Sequence, residues 1–302
     1  MLNTIRNEHL SVSVDTLGAE LRSIRSTKSG IEYLWQGNPD LWGSRAPLLF
    51  PVIGRLKNGI YTLGGESYVM KLHGFARDAE FHATIENDNV MSFSLHESPA
   101  TLASWPFSFE LEIRYTLTNA TIKKEHIVRN RSASEMLYEI GGHEGFNVAL
   151  LPGEVMEDYY LQFDSMDSIQ SFVVDADLMI TREKKILALD DGRLELAMRL
   201  FDGDALILDQ VSNRRVLIAN TKNRERVRVD FSDFDYLGIW TRPGKMNTNF
   251  VCIEPWSSLP DCSYLDHELR NKPGIRHLVA GAAETLAYTM RFGEFQSDNP
   301  AS

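Results

Sequence analysis

Cysteine is scarce in this chain: Cys252 and Cys262 are the only two, ten positions apart. That is too few for a disulfide framework, and without a C-x-x-C pair the spacing suggests neither zinc nor a redox couple. Such usage suits a reducing cytoplasm. No run of about 18 consecutive apolar residues occurs. Residues 1–20 alternate polar and apolar and lack the apolar core of a secretory signal, so neither export nor membrane anchoring is expected. The glycosylation-like triplets Asn119-Ala120-Thr121 and Asn130-Arg131-Ser132 therefore read as polar residues at strand ends.

Positive charge is in deficit, 31 Lys and Arg against 42 Asp and Glu for a net charge of −11. The average field then repels nucleic-acid backbones and anionic lipid surfaces, which excludes nucleic acid and membrane as expected partners and disfavours highly charged anions. Proline- or serine-rich linkers, low-complexity tracts and repeats of 20–50 residues are also lacking. One unit spanning residues 1–302 is expected, because large all-β domains commonly exceed 200 residues. Helical periodicity is rare. Its best instance is 194–201, where Leu194, Ala197, Leu200 and Phe201 can share one face of two turns as a connector. The polar tail 296–302 is expected to fray.

What is present is period-two patterning on a globular composition, 43% hydrophobic and 24% charged. In 109–117 every odd residue is apolar and every even one polar, the mark of a strand with one wet face and of antiparallel pairing. The pattern recurs at 10–14, 91–95, 227–231 and 286–292, with denser apolar strands at 205–208 and 216–219. Asn58-Gly59, Gly64-Gly65, Asp191-Gly192 and Asp202-Gly203 supply turns. The expected class is all-β, a sandwich or barrel with few short helices.

Several chemistries fail on their motifs. His143-Glu144 lacks the second His of a zincin, the 54–59 segment is not a phosphate-binding P-loop, and no G-x-S-x-G elbow exists. Asp261, Asp266, His267 and His277 match no standard metal spacing and read as solvated loop residues, while Arg224, Arg226 and Arg228 read as the solvated face of an edge strand. Four segments do not look like ordinary sheet. Leu49-Phe50-Pro51-Val52-Ile53-Gly54-Arg55 ends an apolar run on a lone cation. Lys71-Leu72-His73-Gly74-Phe75-Ala76-Arg77 sets a His before a glycine-permitted bend, as does Gly141-Gly142-His143-Glu144-Gly145-Phe146-Asn147. Phe250-Val251-Cys252-Ile253-Glu254-Pro255-Trp256 places a carboxylate directly after an apolar strand. Together they propose a cleft holding one base, two imidazoles and one cation.

The ordered set of these motifs, with Val14-Asp15-Thr16-Leu17-Gly18-Ala19-Glu20-Leu21 and Trp35-Gln36-Gly37, resembles the aldose 1-epimerase (galactose mutarotase-like) superfamily in its LacX-like branch, over nearly the whole chain. The resemblance implies a β-supersandwich whose cleft binds a free hexose with no metal and no cofactor. It implies Glu254 as catalytic base, His143 as the acid that protonates the ring oxygen and His73 as a second imidazole on the ring. It also implies Arg55 and an aspartate, Asp204 or by a small slip Asp202 or Asp209, as substrate-binding groups. Relatives often carry Pro-Ala where Glu144-Gly145 stands, which predicts an extra anion beside His143.

The chemistry suits these residue types. Anomer interconversion needs a base at the C1 hydroxyl and an acid at the ring oxygen, each titrating within reach of neutral pH. Phe75, Phe146 and Trp240 can stack on the apolar face of a pyranose beside Asn147, with Arg55, Asp204 and Arg77 toward its hydroxyls. The expected partner is a small-molecule sugar and the expected state a monomer or homodimer. Two other functions share the fold: a sugar-binding or sensing protein, and a hexose-6-phosphate 1-epimerase. The latter requires several Arg or Lys converging on the site, for which Arg45 and Arg77 are candidates.

Overall fold

The computed structural model describes residues 1–245 and 248–295; the tail 296–302, expected to fray, lies outside them. Alternation of side chains decides the architecture. In Phe109–Thr118 the residues Phe109, Leu111, Ile113, Tyr115 and Leu117 are buried and the intervening ones are not. A two-residue turn at Asn119-Ala120, with Asn119 at φ 50°, reverses the chain into Thr121–Asn130. These two strands lie inside a nine-stranded antiparallel sheet. One end continues through Val90–His96 to His82–Asn87; the other runs through Ala283–Glu294, Glu225–Asp230, Arg215–Asn220 and Tyr159–Gln162 to Arg193–Glu195.

A second antiparallel sheet has four strands in the order Glu144–Asn147, Phe250–Trp256, Tyr236–Trp240, Leu206–Leu208. One of its faces shares a core with the large sheet, where Phe146, Val251, Ile253 and Ile239 belong to the same apolar cluster as Ile113, Tyr115, Val128 and Met290. Each such side chain contributes about 1.5–3 kcal/mol by leaving water. The other face carries a smaller cluster, Ile207 and Trp256 with Leu49, Ile53, Ile180 and Leu259. Burial on both faces explains why Phe250–Trp256 reads as continuously apolar rather than alternating.

The all-β expectation holds, and Pro99–Ser104, capped by Ser98, is the only α-helix among the described residues. The connector at 194–201 is not a two-turn helix. Arg193–Glu195 pairs at the sheet edge with Tyr159–Gln162, and only Met198–Phe201 coils, as a 3₁₀ turn. Two helical turns are too few to offset their own nucleation once strand pairing is available. The arginine stripe is not on an edge either: Glu225–Asp230 is an interior strand with one wet face. Gly64-Gly65 and Asp191-Gly192 make their hairpins with positive φ throughout, whereas at Asp202-Gly203 the left-handed residue is Asp204, φ 73°. No helix among the described residues is long and apolar enough to cross a membrane.

Candidate active site

Strand register assembles the site on the smaller sheet. Gly238 pairs with both Glu254 and Ile207, and Trp240 pairs with Cys252. Because alternate residues share a face, Glu254, Trp256, Trp240 and Ile207 stand together. Glu144 pairs with Ile253, which brings the preceding residue, His143, up to Glu254. Gly238 is required here, since a Cβ would lie 2.5 Å from the Trp256 ring that folds across it. These residues, with His73, line a cavity of about 350 Å³.

His143 Nε2 lies 3.3 Å from Glu254 Oε2, with both side chains almost wholly buried. The His143 ring is stacked on Trp42, with centroids 5.0 Å apart, and stands edge-on to His73 at 5.5 Å and to Trp240 at 5.8 Å. Aromatic packing therefore sets its plane. His143 Nδ1, Glu254 Oε2 and Trp256 Nε1 are buried without a hydrogen-bond partner among the described residues, an unfavourable condition that clusters at sites built to receive polar groups.

His73 is held from the backbone. The Gly54 N–H donates to its Nδ1 at 3.0 Å, so the neutral ring carries its proton on Nε2. The bend predicted here is present, with His73 at φ 62° and Gly74 at φ 76°. At Gly74 a Cβ would also collide with the Phe50 carbonyl, which accepts from the N–H groups of Phe75 and Ala76. That wrap joins the 49–55 and 71–77 segments. The glycines around His143 work differently: Gly141, Gly142 and Gly145 have no positive φ and instead allow close approach of Pro255, of Tyr288 and of Trp42.

Electrostatics favours neutral forms. Burial first, then the charges of Asp204 and Glu144, push the Glu254 carboxyl well above the carboxylate range. Burial, His73 and the Arg77 cation push His143 well below the imidazole range. His73 is lowered to about 3 by burial and Arg77. The Cys252 Sγ also approaches, the three ligand atoms of His143, Cys252 and Glu254 lying within 4.8 Å of one another. Burial and the Glu254 and Glu144 charges push that thiol up.

Of the residues singled out in the sequence, Glu254, His143, His73, Arg55, Arg77, Asp204 and Trp240 line one cavity. Asp204 Oδ1 accepts from Trp240 Nε1 at 2.9 Å. Asp209 is bound instead to Lys184 Nζ at 2.6 Å, and Asp202 borders only a neighbouring depression. Arg55 is exposed, so the apolar run does not end on a buried cation. That run is fastened by Glu139, whose Oε2 accepts from Ile53 N–H at 2.7 Å.

Phe75, Phe146 and Asn147 do not line the cavity. Phe75 packs on Phe50, Trp105 and Phe109, and Phe146 packs on Phe292 in the main core. Asn147 Nδ2 donates to the Glu32 and Leu34 carbonyls. Glu144 is not beside His143 but on the opposite face, where Oε1 accepts from Lys124 Nζ at 2.8 Å and Tyr288 Oη at 2.5 Å. Asp261 is buried rather than solvated, accepting from the Lys57 and Cys262 N–H groups. Sequence reasoning missed Trp42, Trp256 and Arg242. Period two signals the latter pair, since Trp256 is two residues beyond Glu254 and Arg242 two beyond Trp240.

The sequence pattern of the family described as aldose 1-epimerase matches residues 1–270. The chain is 35% identical over 283 residues to the chromosomal LacX protein of Lactococcus lactis, covering 91% of this chain and 94% of the relative. Among solved structures it is similar to a galactose mutarotase related enzyme from Lactobacillus acidophilus, at 32% identity and a TM-score of 0.91, covering 99% of each chain. It is also similar to a galactose mutarotase-like protein from Lactobacillus casei, at 30% identity and a TM-score of 0.89, covering 97% of this chain and 100% of that one. The chain belongs to the aldose 1-epimerase family.

Proposed function

We propose that this protein is an aldose 1-epimerase that interconverts the α and β anomers of an aldohexose by acid/base opening and closing of the ring. The observation that carries the reading is the His143 Nε2–Glu254 Oε2 approach of 3.3 Å on the wall of the cavity. Burial pushes the two groups toward neutrality from opposite sides, so the pair holds one mobile proton with two placements. In the ionic placement Glu254 is a carboxylate and His143 an imidazolium; in the neutral one the proton sits on Glu254. Both have the same net charge.

Ring opening uses the first placement and ends in the second. Glu254 takes the C1 hydroxyl proton, the C1–O5 bond breaks, and His143 gives its Nε2 proton to O5. The open aldehyde turns about C1–C2. On closure O5 attacks C1 from the other face, returns its proton to His143, and Glu254 protonates the carbonyl oxygen. Every proton is returned and no step calls on a cofactor. His73 offers Nε2–H as a fixed donor to the ring, because Gly54 occupies its other nitrogen. Trp240 and Trp42 give apolar faces for the C–H surface of a sugar, and Asp204 accepts from its hydroxyls.

The test is polarimetry on freshly dissolved α-anomers of several hexoses, repeated with Glu254→Gln. The parent accelerates equilibration and the variant does not. A parent that binds sugars without accelerating anomer exchange would make the protein a binder and refute the reading.

A further inference from the structure

Glu139 and Lys272 form an ion pair that the mechanism does not use. Both are buried, with Lys272 Nζ 3.3 Å from Glu139 Oε1. A buried ion pair is a poor source of stability, since desolvation offsets its attraction and apolar residues of similar volume often serve as well. What Glu139 holds is more telling. Its Oε2 accepts from the Ile53 N–H at 2.7 Å, and its own N–H donates to the Pro51 carbonyl at 2.8 Å, so it fixes the peptides on both sides of Val52. The next peptide along carries the Gly54 N–H, which donates to His73 Nδ1 at 3.0 Å. Gly54 has φ 68°, and the torsional freedom of a glycine leaves the direction of that N–H weakly set by the segment itself. A group outside the segment has to aim it. With its other oxygen Glu139 meets the Ser258 hydroxyl at 2.8 Å, four residues beyond Glu254, and Glu139 itself stands four residues ahead of His143. One carboxylate thus ties together the segments that carry His73, His143 and Glu254.

We infer that Glu139 is a positioning residue, which aims the Gly54 N–H at His73 Nδ1 and so keeps the His73 proton on Nε2, where a sugar ring meets it. The consequence for catalysis rests on the epimerase reading, in which His73 is a donor to the ring. Burial and Arg77 lower the His73 pKa to about 3, so the ring is neutral at neutral pH and must choose between two tautomers, a choice that a hydrogen bond at one nitrogen makes. While Nδ1 accepts from Gly54, only the Nε2–H form fits. With that N–H turned away, Nδ1 is free to hold the proton and Nε2 becomes an acceptor in front of the substrate. The His73 N–H also donates to the Gly54 carbonyl at 2.8 Å, which joins the two backbones but does not touch the ring. The tautomer therefore depends on the one N–H that follows the peptides gripped by Glu139.

The experiment compares two double variants, so that neither charge of the pair is left buried alone. Glu139→Gln with Lys272→Met keeps an acceptor for the Ile53 N–H, and its amide N–H faces a Ser258 hydroxyl that has the Pro273 carbonyl to donate to, 2.8 Å away. Glu139→Leu with Lys272→Met removes the acceptor. The readouts are the ring-nitrogen NMR shifts of His73 in isotope-labelled protein, and kcat/KM for exchange of the glucose anomers. The parent and the glutamine pair should both show the Nε2–H form. The leucine pair should show a mixture of tautomers and lose roughly tenfold in kcat/KM, the value of one hydrogen bond; a merely structural role would lower stability and leave the tautomer alone. A folded leucine pair with His73 wholly in the Nε2–H form overturns the inference, and so does a glutamine pair that loses that form. If the leucine pair does not fold, Glu139→Asp, which keeps the charge but draws the acceptor back by a methylene, replaces it under the same criterion. A changed tautomer with unchanged kcat/KM overturns the consequence for catalysis. A parent that does not exchange anomers defeats the epimerase reading, while the nitrogen shifts still decide whether Glu139 sets the tautomer.

Discussion

Glu144 and Glu254 are buried carboxylates in neighbouring strands of the same sheet, facing opposite ways. Glu144 faces the main core, where Lys124 and Tyr288 both donate to its Oε1. Glu254 faces the cavity, where the His143 imidazole nitrogen lies 3.3 Å from its Oε2. Burial is equal, with both residues 1% exposed. The difference lies in the partner. Glu144 is matched with a lysine ammonium at 2.8 Å, while Glu254 is matched with an imidazole. Burial alone therefore does not mark a functional group; what faces the carboxylate does.

The sharpest way to separate the two is to remove each charge in turn. Glu254→Gln should lower the anomerisation rate roughly 10²- to 10⁴-fold, the usual value of a general base, with no loss of melting temperature. Lys124→Met should do the reverse. It leaves Glu144 buried without its cation, at a cost of about 3–5 kcal/mol in stability, read as a shifted denaturation midpoint. Adding Glu144→Gln to that variant should restore most of the loss. If Lys124→Met leaves the midpoint unchanged, the contrast between the faces is wrong.

The pH dependence of stability sharpens the same comparison. His73, His126 and His143 all have pKa values lowered by burial, His73 to about 3 from 6.5. The unfolded chain binds more protons than the folded one below 6.5, so stability is full above that pH and is lost as pH falls toward 3. Glu254 acts in the opposite sense. Its folded pKa is raised above 4.5, so its contribution is present below that pH and is lost as pH rises. Glu254→Gln should therefore gain stability relative to the parent as pH climbs above about 4.5, and a melting-temperature difference that does not change with pH would contradict the neutral form of Glu254.

Smaller effects belong to the floor and the core. Gly238→Ala sets a methyl against the Trp256 ring and should cost about 1–3 kcal/mol of strain, with a raised KM because that ring forms part of the cavity wall. Phe146→Leu, within the main core, should cost under about 1.5 kcal/mol and leave KM where it was. A raised KM would return Phe146 to the sugar site.

Much of this was legible in the chain. The alternation at 109–117 yields the strand Phe109–Thr118, and the hairpin glycines are where positive φ is needed. Seven residues singled out for the cleft reach one cavity. Where reading along the chain failed, proximity in sequence was taken for proximity in space. Phe146 and Asn147 follow His143 closely, yet strand alternation turns Phe146 to the core and a loop engages Asn147. The predicted anion beside His143 fails for the same reason, since adjacent residues of a strand point to opposite faces.

By itself the sequence determined the all-β class, the positions of many turns, and the motifs holding Glu254, His143, His73 and Arg55, because alternation, glycine conformations and motif identity are local properties of the chain. Tertiary structure decided the rest. The register of Phe250–Trp256 with its two neighbours sets which side chains share a face, and that pairing spans more than a hundred residues of chain between Glu144 and Ile253. Burial then sets the protonation of Glu254 and His143, since desolvation depends on everything packed around a group. The convergence of Arg55, Arg77 and Arg242 on one cavity follows from the same folding of distant segments, which no local pattern in the chain encodes.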